Sequence, residues 1–118
     1  MKKLKYVEEE WKMEQFGKMN LETLTKKLGK GAYVLFFSAD WCSDCNFIKP
    51  ALPAIEAEYP DYKFIHIDRD ENIDLCRELM VMGIPSFIVY KNGEEVARFV
   101  NKDRKTKEEI ETFLNEVA

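Results

Sequence analysis

Ala32-Tyr33-Val34-Leu35-Phe36-Phe37-Ser38-Ala39-Asp40-Trp41-Cys42-Ser43-Asp44-Cys45 runs from an unbroken apolar segment straight into two cysteines separated by two residues. Ala32 to Ser38 is apolar on both faces, as a strand buried between two layers requires. After Trp41 the period changes. Phe47, Ile48, Leu52 and Ile55 recur at helical spacing to about Glu58, interrupted by Pro50, which removes a backbone donor and kinks the helix. The cysteines therefore stand where a buried strand ends and a helix opens. At that place unpaired amides and the helix dipole favour a thiolate at Cys42, while Cys45 lies one turn inside, close enough for the sulfurs to join and part.

Working outward, Asn20 is placed to cap a short helix with Leu21, Leu24 and Leu28 on one face, ended by Gly29 and Gly31. Tyr62 to Ile67 reads as a second buried strand, and residues 71 to 81 as a helix carrying Ile73, Leu75, Cys76, Leu79 and Met80. Ser86 to Tyr90 and Glu95 to Val100 flank Lys91-Asn92-Gly93-Glu94, and Asn-Gly between two apolar runs is a strong hairpin signal. A final helix from Lys107 is announced by a Thr106/Glu109 capping box and packs through Ile110, Phe113, Leu114 and Val117. Crossover helices followed by a hairpin predict an α/β fold, a central mixed sheet with helices on both faces. In residues 1 to 19, Val7 and Trp11 are spaced like a helical turn and Trp11 and Met13 alternate like a strand, so a helix or turn leading into an edge strand is expected.

Composition narrows the function. At 118 residues, without repeats or a Pro/Gly/Ser-rich linker, the chain is expected to form a single domain, residues 20–118 as core and 1–19 as an N-terminal segment. The net charge of −4 is uneven: residues 1 to 30 carry +3 and residues 31 to 100 carry −6. Lys2, Lys3 and Lys5 run directly into Glu8, Glu9 and Glu10, which argues against nucleic acid as a partner. The same acidic run interrupts what could have begun a secretory signal. The longest apolar run, Ala32 to Phe37, is far short of the roughly 20 residues that span a membrane. A cytoplasmic location is expected, and there a CxxC pair is catalytic or metal-binding more often than structural. A zinc site would need four ligands, and beyond the pair only Cys76 and His66 remain, neither placed to complete one, so no metal is expected. Cys76 falls on an apolar helix face and reads as a buried inert thiol. His66, between Ile65 and Ile67 in a strand, is not expected to act as a base.

The ordered landmarks Trp41-Cys42-Ser43-Asp44-Cys45, Pro50, Gly83-Ile84-Pro85 and Lys91-Asn92-Gly93 resemble the thioredoxin family over about residues 20 to 118. The resemblance implies the thioredoxin fold and a protein-disulfide reductase serving cell redox homeostasis. Cys42 would attack a substrate disulfide and Cys45 would resolve the mixed disulfide, with no cofactor besides that redox-active pair. Trp41 would wall the site, with Ser43, Asp44 and Pro85 supporting it. A cis Ile84-Pro85 bond would expose the Ile84 backbone, so that Trp41, Gly83, Ile84 and Pro85 bind an extended substrate. The implied partners are disulfide-containing proteins and a thioredoxin-reductase-like electron donor, and the chain is expected to be a monomer.

Several positions depart from the family pattern. Ser43-Asp44 replaces the common Gly-Pro, Ser86 follows the cis-proline, and Asn101-Lys102 occupies a loop position where glycine is frequent. The buried Asp and Lys associated with proton transfer at the second cysteine are replaced by Phe36 and Phe64, two aromatics able to pack together. Asp44 is then either a solvated carboxylate at the helix start or an acceptor for the proton of Cys45. These departures keep a second reading open, an accessory or binding module with little turnover. A glutathione-using enzyme fits less well, since its characteristic residues between the cysteines and its Gly-Gly are absent.

Overall fold

The short strand β1, Glu14–Phe16, lies at one edge of a five-stranded sheet in the order β1-β3-β2-β4-β5. The computed structural model describes residues 13–117. The expected N-terminal edge strand is therefore present, whereas the helix or turn expected around Val7 and Trp11 lies outside the described residues. The other strands are β2 (Ala32–Ser38), β3 (Lys63–Asp68), β4 (Ser86–Lys91) and β5 (Glu94–Phe99). β1 and β2 run parallel to β3, and β4 runs antiparallel to both β2 and β5. This is the mixed sheet expected from the sequence, with β2, the strand that leads to the cysteines, at its centre.

Alternation along the strands sends side chains into two cores. On one face Leu35, Phe37, Ile65, Ile67 and Ile88 meet α1 (Leu21–Lys27) and α4 (Ile73–Glu78) through Leu24, Leu75 and Cys76. On the other, Val34, Phe36, Phe64, Phe87 and Val89 meet α2 (Ser43–Ile48), α3 (Leu52–Glu58) and α5 (Lys107–Val117) through Ile48, Leu52, Ile55, Ile110 and Leu114. Each fully buried aliphatic or aromatic side chain is worth about 1.5–3 kcal/mol of transfer free energy, so both faces are needed to offset the chain's ordering entropy.

Local signals act as read. The Asn20 side chain accepts the Thr23 amide at 2.9 Å, and the Thr106 and Glu109 side chains each accept the other's backbone N–H, at 3.1 and 2.8 Å. Asn92 and Gly93 both have positive φ, the conformation of a type I′ hairpin turn. The helix kinked by Pro50 is divided into α2, a 3₁₀ turn over Lys49–Ala51, and α3. Three apolar positions differ from the amphipathic reading: Phe47, Ile73 and Met80 are exposed. Ile73 opens α4, where the buried stripe is not yet established, and Phe47 lies on the outer face of α2, away from the buried Cys45 and Ile48. Met80 lies past the end of α4 with φ at 60°.

Candidate active site

The site is built at the carboxyl end of β2. A tight turn, with the Cys42 amide donating to the Ala39 carbonyl at 3.1 Å, carries the chain into α2. Cys42 is the N-cap of that helix, and its Sγ accepts the Cys45 backbone N–H at 3.2 Å. The two residues are joined by a disulfide with their Cα atoms 5.2 Å apart. A capping residue normally offers an oxygen to an orphan amide. Here a sulfur takes that place, so the amide that would stabilise a thiolate at Cys42 is already directed at it.

The cysteines differ in access. Cys45 is 0% exposed, and Cys42 is 6% exposed and lines a groove of about 610 Å³. Packing against Ala39, Cys45 and Ile84 confines the exposure of Cys42 to the groove. The opposite wall is the Gly83-Ile84-Pro85 loop, in which the Ile84-Pro85 peptide bond is cis as expected, and the Ile84 carbonyl oxygen lies 4.0 Å from Cys42 Sγ. Pro85 is buried, Gly83 and Ile84 are half-buried, and Ser43 is exposed.

Trp41 stands over the groove at 64% exposure. Its indole N–H donates to Asp70 at 2.7 Å, and the Arg69 guanidinium lies 5.7 Å from its ring centre. Both partners come from the loop after β3. A carboxylate anchor fixes the orientation of a side chain that is otherwise largely in water.

Asp44 is neither simply solvated nor open. Its carboxylate accepts the Arg104 Nε–H at 2.9 Å, and the Arg104 guanidinium lies 4.3 Å from the Phe47 ring centre. Arg104 comes from the loop between β5 and α5, sixty residues along the chain. Asp70 and Arg104 are thus the site residues that sequence reasoning missed. Neither sits in a motif, and only folding brings them to Trp41 and Asp44.

The positions of the missing Asp and Lys are filled apolar. Phe36 stacks on Phe87 with centroids 5.0 Å apart and tilts against His66 at 5.5 Å, while Phe64 lies in the same core opposite Val34. The polar pair beneath this end of the sheet is Ser38 and His66, whose Oγ and Nε2 are 2.6 Å apart. Burial, assisted by Lys49, lowers the His66 pKa to about 4, so the imidazole is neutral at pH 7. Burial pushes the Cys76 thiol up to about 11, which leaves it protonated although it also borders the groove. Among the described residues no group of three or more His, Cys, Asp or Glu side chains is arranged to hold a metal, and no helix is long and apolar enough to cross a membrane.

A helix-capping CxxC disulfide that springs from the central strand of a mixed sheet and faces a cis-proline loop defines a thiol–disulfide redox site. The thioredoxin family profile matches residues 13–116, and the chain belongs to the thioredoxin family. Thioredoxin H2 of Arabidopsis thaliana is 36% identical over 84 residues, covering 71% of this chain and 61% of that protein. The thioredoxin of Ophiophagus hannah is 38% identical over 81 residues, covering 69% and 77%. The solved structure of Fasciola hepatica thioredoxin matches with a TM-score of 0.69 and 29% identity, over 87% of this chain and 98% of that one. The chain thus spans about three fifths of the plant relative's length and nearly all of the fluke protein's.

Proposed function

We propose that the protein reduces protein disulfides by dithiol exchange. The observation that carries this reading is the asymmetric pair: Cys42 opens on the groove with the Cys45 amide on its sulfur, while Cys45 is sealed behind it. In the reduced protein the Cys42 thiolate attacks one sulfur of a substrate disulfide, and the other sulfur leaves as a thiolate. Cys45 then gives up its proton and attacks Cys42 Sγ, releasing the second substrate thiol and closing the Cys42–Cys45 disulfide. Two electrons and two protons pass to the substrate. An external dithiol donor of the thioredoxin-reductase kind returns them, so the redox-active pair serves without another cofactor.

Trp41, Gly83, Ile84 and Pro85 bind the substrate segment. The loop presents the Ile84 backbone to an extended chain, while Pro85, Ser43 and Asp44 keep the surroundings of Cys42 in shape. The chain acts as a monomeric single domain in the cytoplasm, where its thiols are kept reduced. The test is insulin reduction coupled to trapping. The wild type turns over, Cys45→Ser accumulates a stable mixed disulfide through Cys42, and Cys42→Ser accumulates none. Equal trapping by the two variants would refute the assignment of roles.

A further inference from the structure

The groove beside Cys42 differs in charge from the molecule around it. Its charged lining residues are Arg69, Arg77 and Lys102 against Asp44 alone, in a chain whose net charge is −4. Asp44 is already engaged by Arg104. Arg69 and Arg77 each lean on a carboxylate, Asp70 at 3.1 Å and Asp74 at 3.7 Å, and neither of those acids is part of the lining. Lys102 makes no ion pair among the described residues.

The backbone at Lys102 is closely packed although the residue is exposed. Gly83 packs so closely on that backbone that a Cβ on the glycine would come within 2.6 Å of the Lys102 amide nitrogen and the Asn101 carbonyl carbon. From the other side Lys105, 1% exposed, spends its ammonium on the loop itself, donating to Asn101 Oδ1 and to the Asp103 carbonyl, both at 2.8 Å. A buried lysine satisfied by its own loop rigidifies that loop. The segment 101–105 therefore presents one cation against the cis-proline loop, Lys102, and a second against the CxxC helix, Arg104.

We propose that this groove selects disulfides flanked by carboxylate side chains in an extended peptide. The proposal rests on the reductase reading and adds the substrate class. Cations at the rim steer an acidic partner, an effect that appears mainly in association and fades with salt.

The experiment uses the reduced 118-residue chain and three synthetic peptides, each with one internal disulfide flanked by Glu, Gln or Lys, together with oxidised glutathione as a small carboxylate-bearing disulfide. At low ionic strength the expected order of kcat/KM is Glu, then Gln, then Lys, with roughly two- to five-fold for each step, as exposed ion pairs allow. The ratio should shrink at high salt, and Lys102→Glu should collapse or invert it. Equal, salt-independent rates on all three peptides would overturn the acidic preference and leave the reductase intact. A faster reaction with oxidised glutathione than with the Glu peptide would overturn the peptide assignment. Failure to reduce any disulfide would overturn the reductase reading and the preference with it.

Discussion

The carboxylate between the two cysteines, Asp44, is paired with a guanidinium from a distant loop, Arg104. Asp44 by itself would disfavour a Cys42 thiolate, because like charges within about 4–6 Å resist ionisation. Arg104, 2.9 Å from that carboxylate, compensates it. The two substitutions should therefore move Cys42 in opposite directions when thiolate absorbance is followed in the reduced protein. Arg104→Gln raises the pH at which Cys42 ionises and Asp44→Asn lowers it, while the double variant lies between them. Added salt should compress the spread. Should Asp44 serve instead as the proton acceptor for Cys45, Asp44→Asn would slow single-turnover resolution without a matching change in Cys42 ionisation. The cysteine pair was legible because its chemistry is local. Arg104 was not, because an isolated arginine among charged residues carries no signal until the loop is folded against α2.

Among the elements, α4 ends in an unusual way. Val81 N–H donates to the Cys76 carbonyl at 2.8 Å and Met80 N–H to the Arg77 carbonyl at 3.1 Å, the two bonds of a Schellman ending. The left-handed residue of that motif is Met80, with φ at 60°, where glycine is the usual occupant because a Cβ is disfavoured there. Met80 is 70% exposed, so little packing is lost on truncation. Met80→Gly should stabilise the protein by about 0.5–1 kcal/mol in urea denaturation. An unchanged or lower midpoint would show that the methionine contributes contacts that offset the strain. The sequence pattern carried this helix too far, to residue 81, because Met80 and Val81 continue the apolar series while the backbone has already turned.

At the scale of the whole molecule, the two cores join at a sheet whose interior holds a polar pair, Ser38 and His66. His66 is held neutral by burial, with its pKa lowered from 6.5 to about 4; Lys49 adds to that, and Asp68 and Asp40 oppose it. The unfolded chain binds the proton as pH falls through 6.5, whereas the native state resists until about pH 4. This contribution to stability is complete above pH 6.5 and is lost progressively between 6.5 and 4, reaching roughly 3 kcal/mol. Urea titrations at several pH values should show His66→Gln with a shallower loss over that window than the wild type. Parallel curves would place the acid sensitivity in the carboxylates instead.

The sequence by itself determined the order of elements, the caps, the Asn-Gly turn and the redox pair, because each depends on side-chain period or on chemistry within a few residues. It also placed Phe36 and Phe64 in the core, since both fall in apolar strands that read as buried before any partner is known. Their actual partners came only with register: Phe36 lies opposite His66 and stacks on Phe87, and Phe64 lies opposite Val34. The narrowing of Cys42 to 6% exposure, the Asp70 anchor of Trp41, and the Lys102–Lys105 loop with its Arg104 contact to Asp44 were likewise decided by tertiary structure. Each joins segments distant in sequence, and the energy of such a contact depends on distances and local dielectric that exist only once the sheet has assembled.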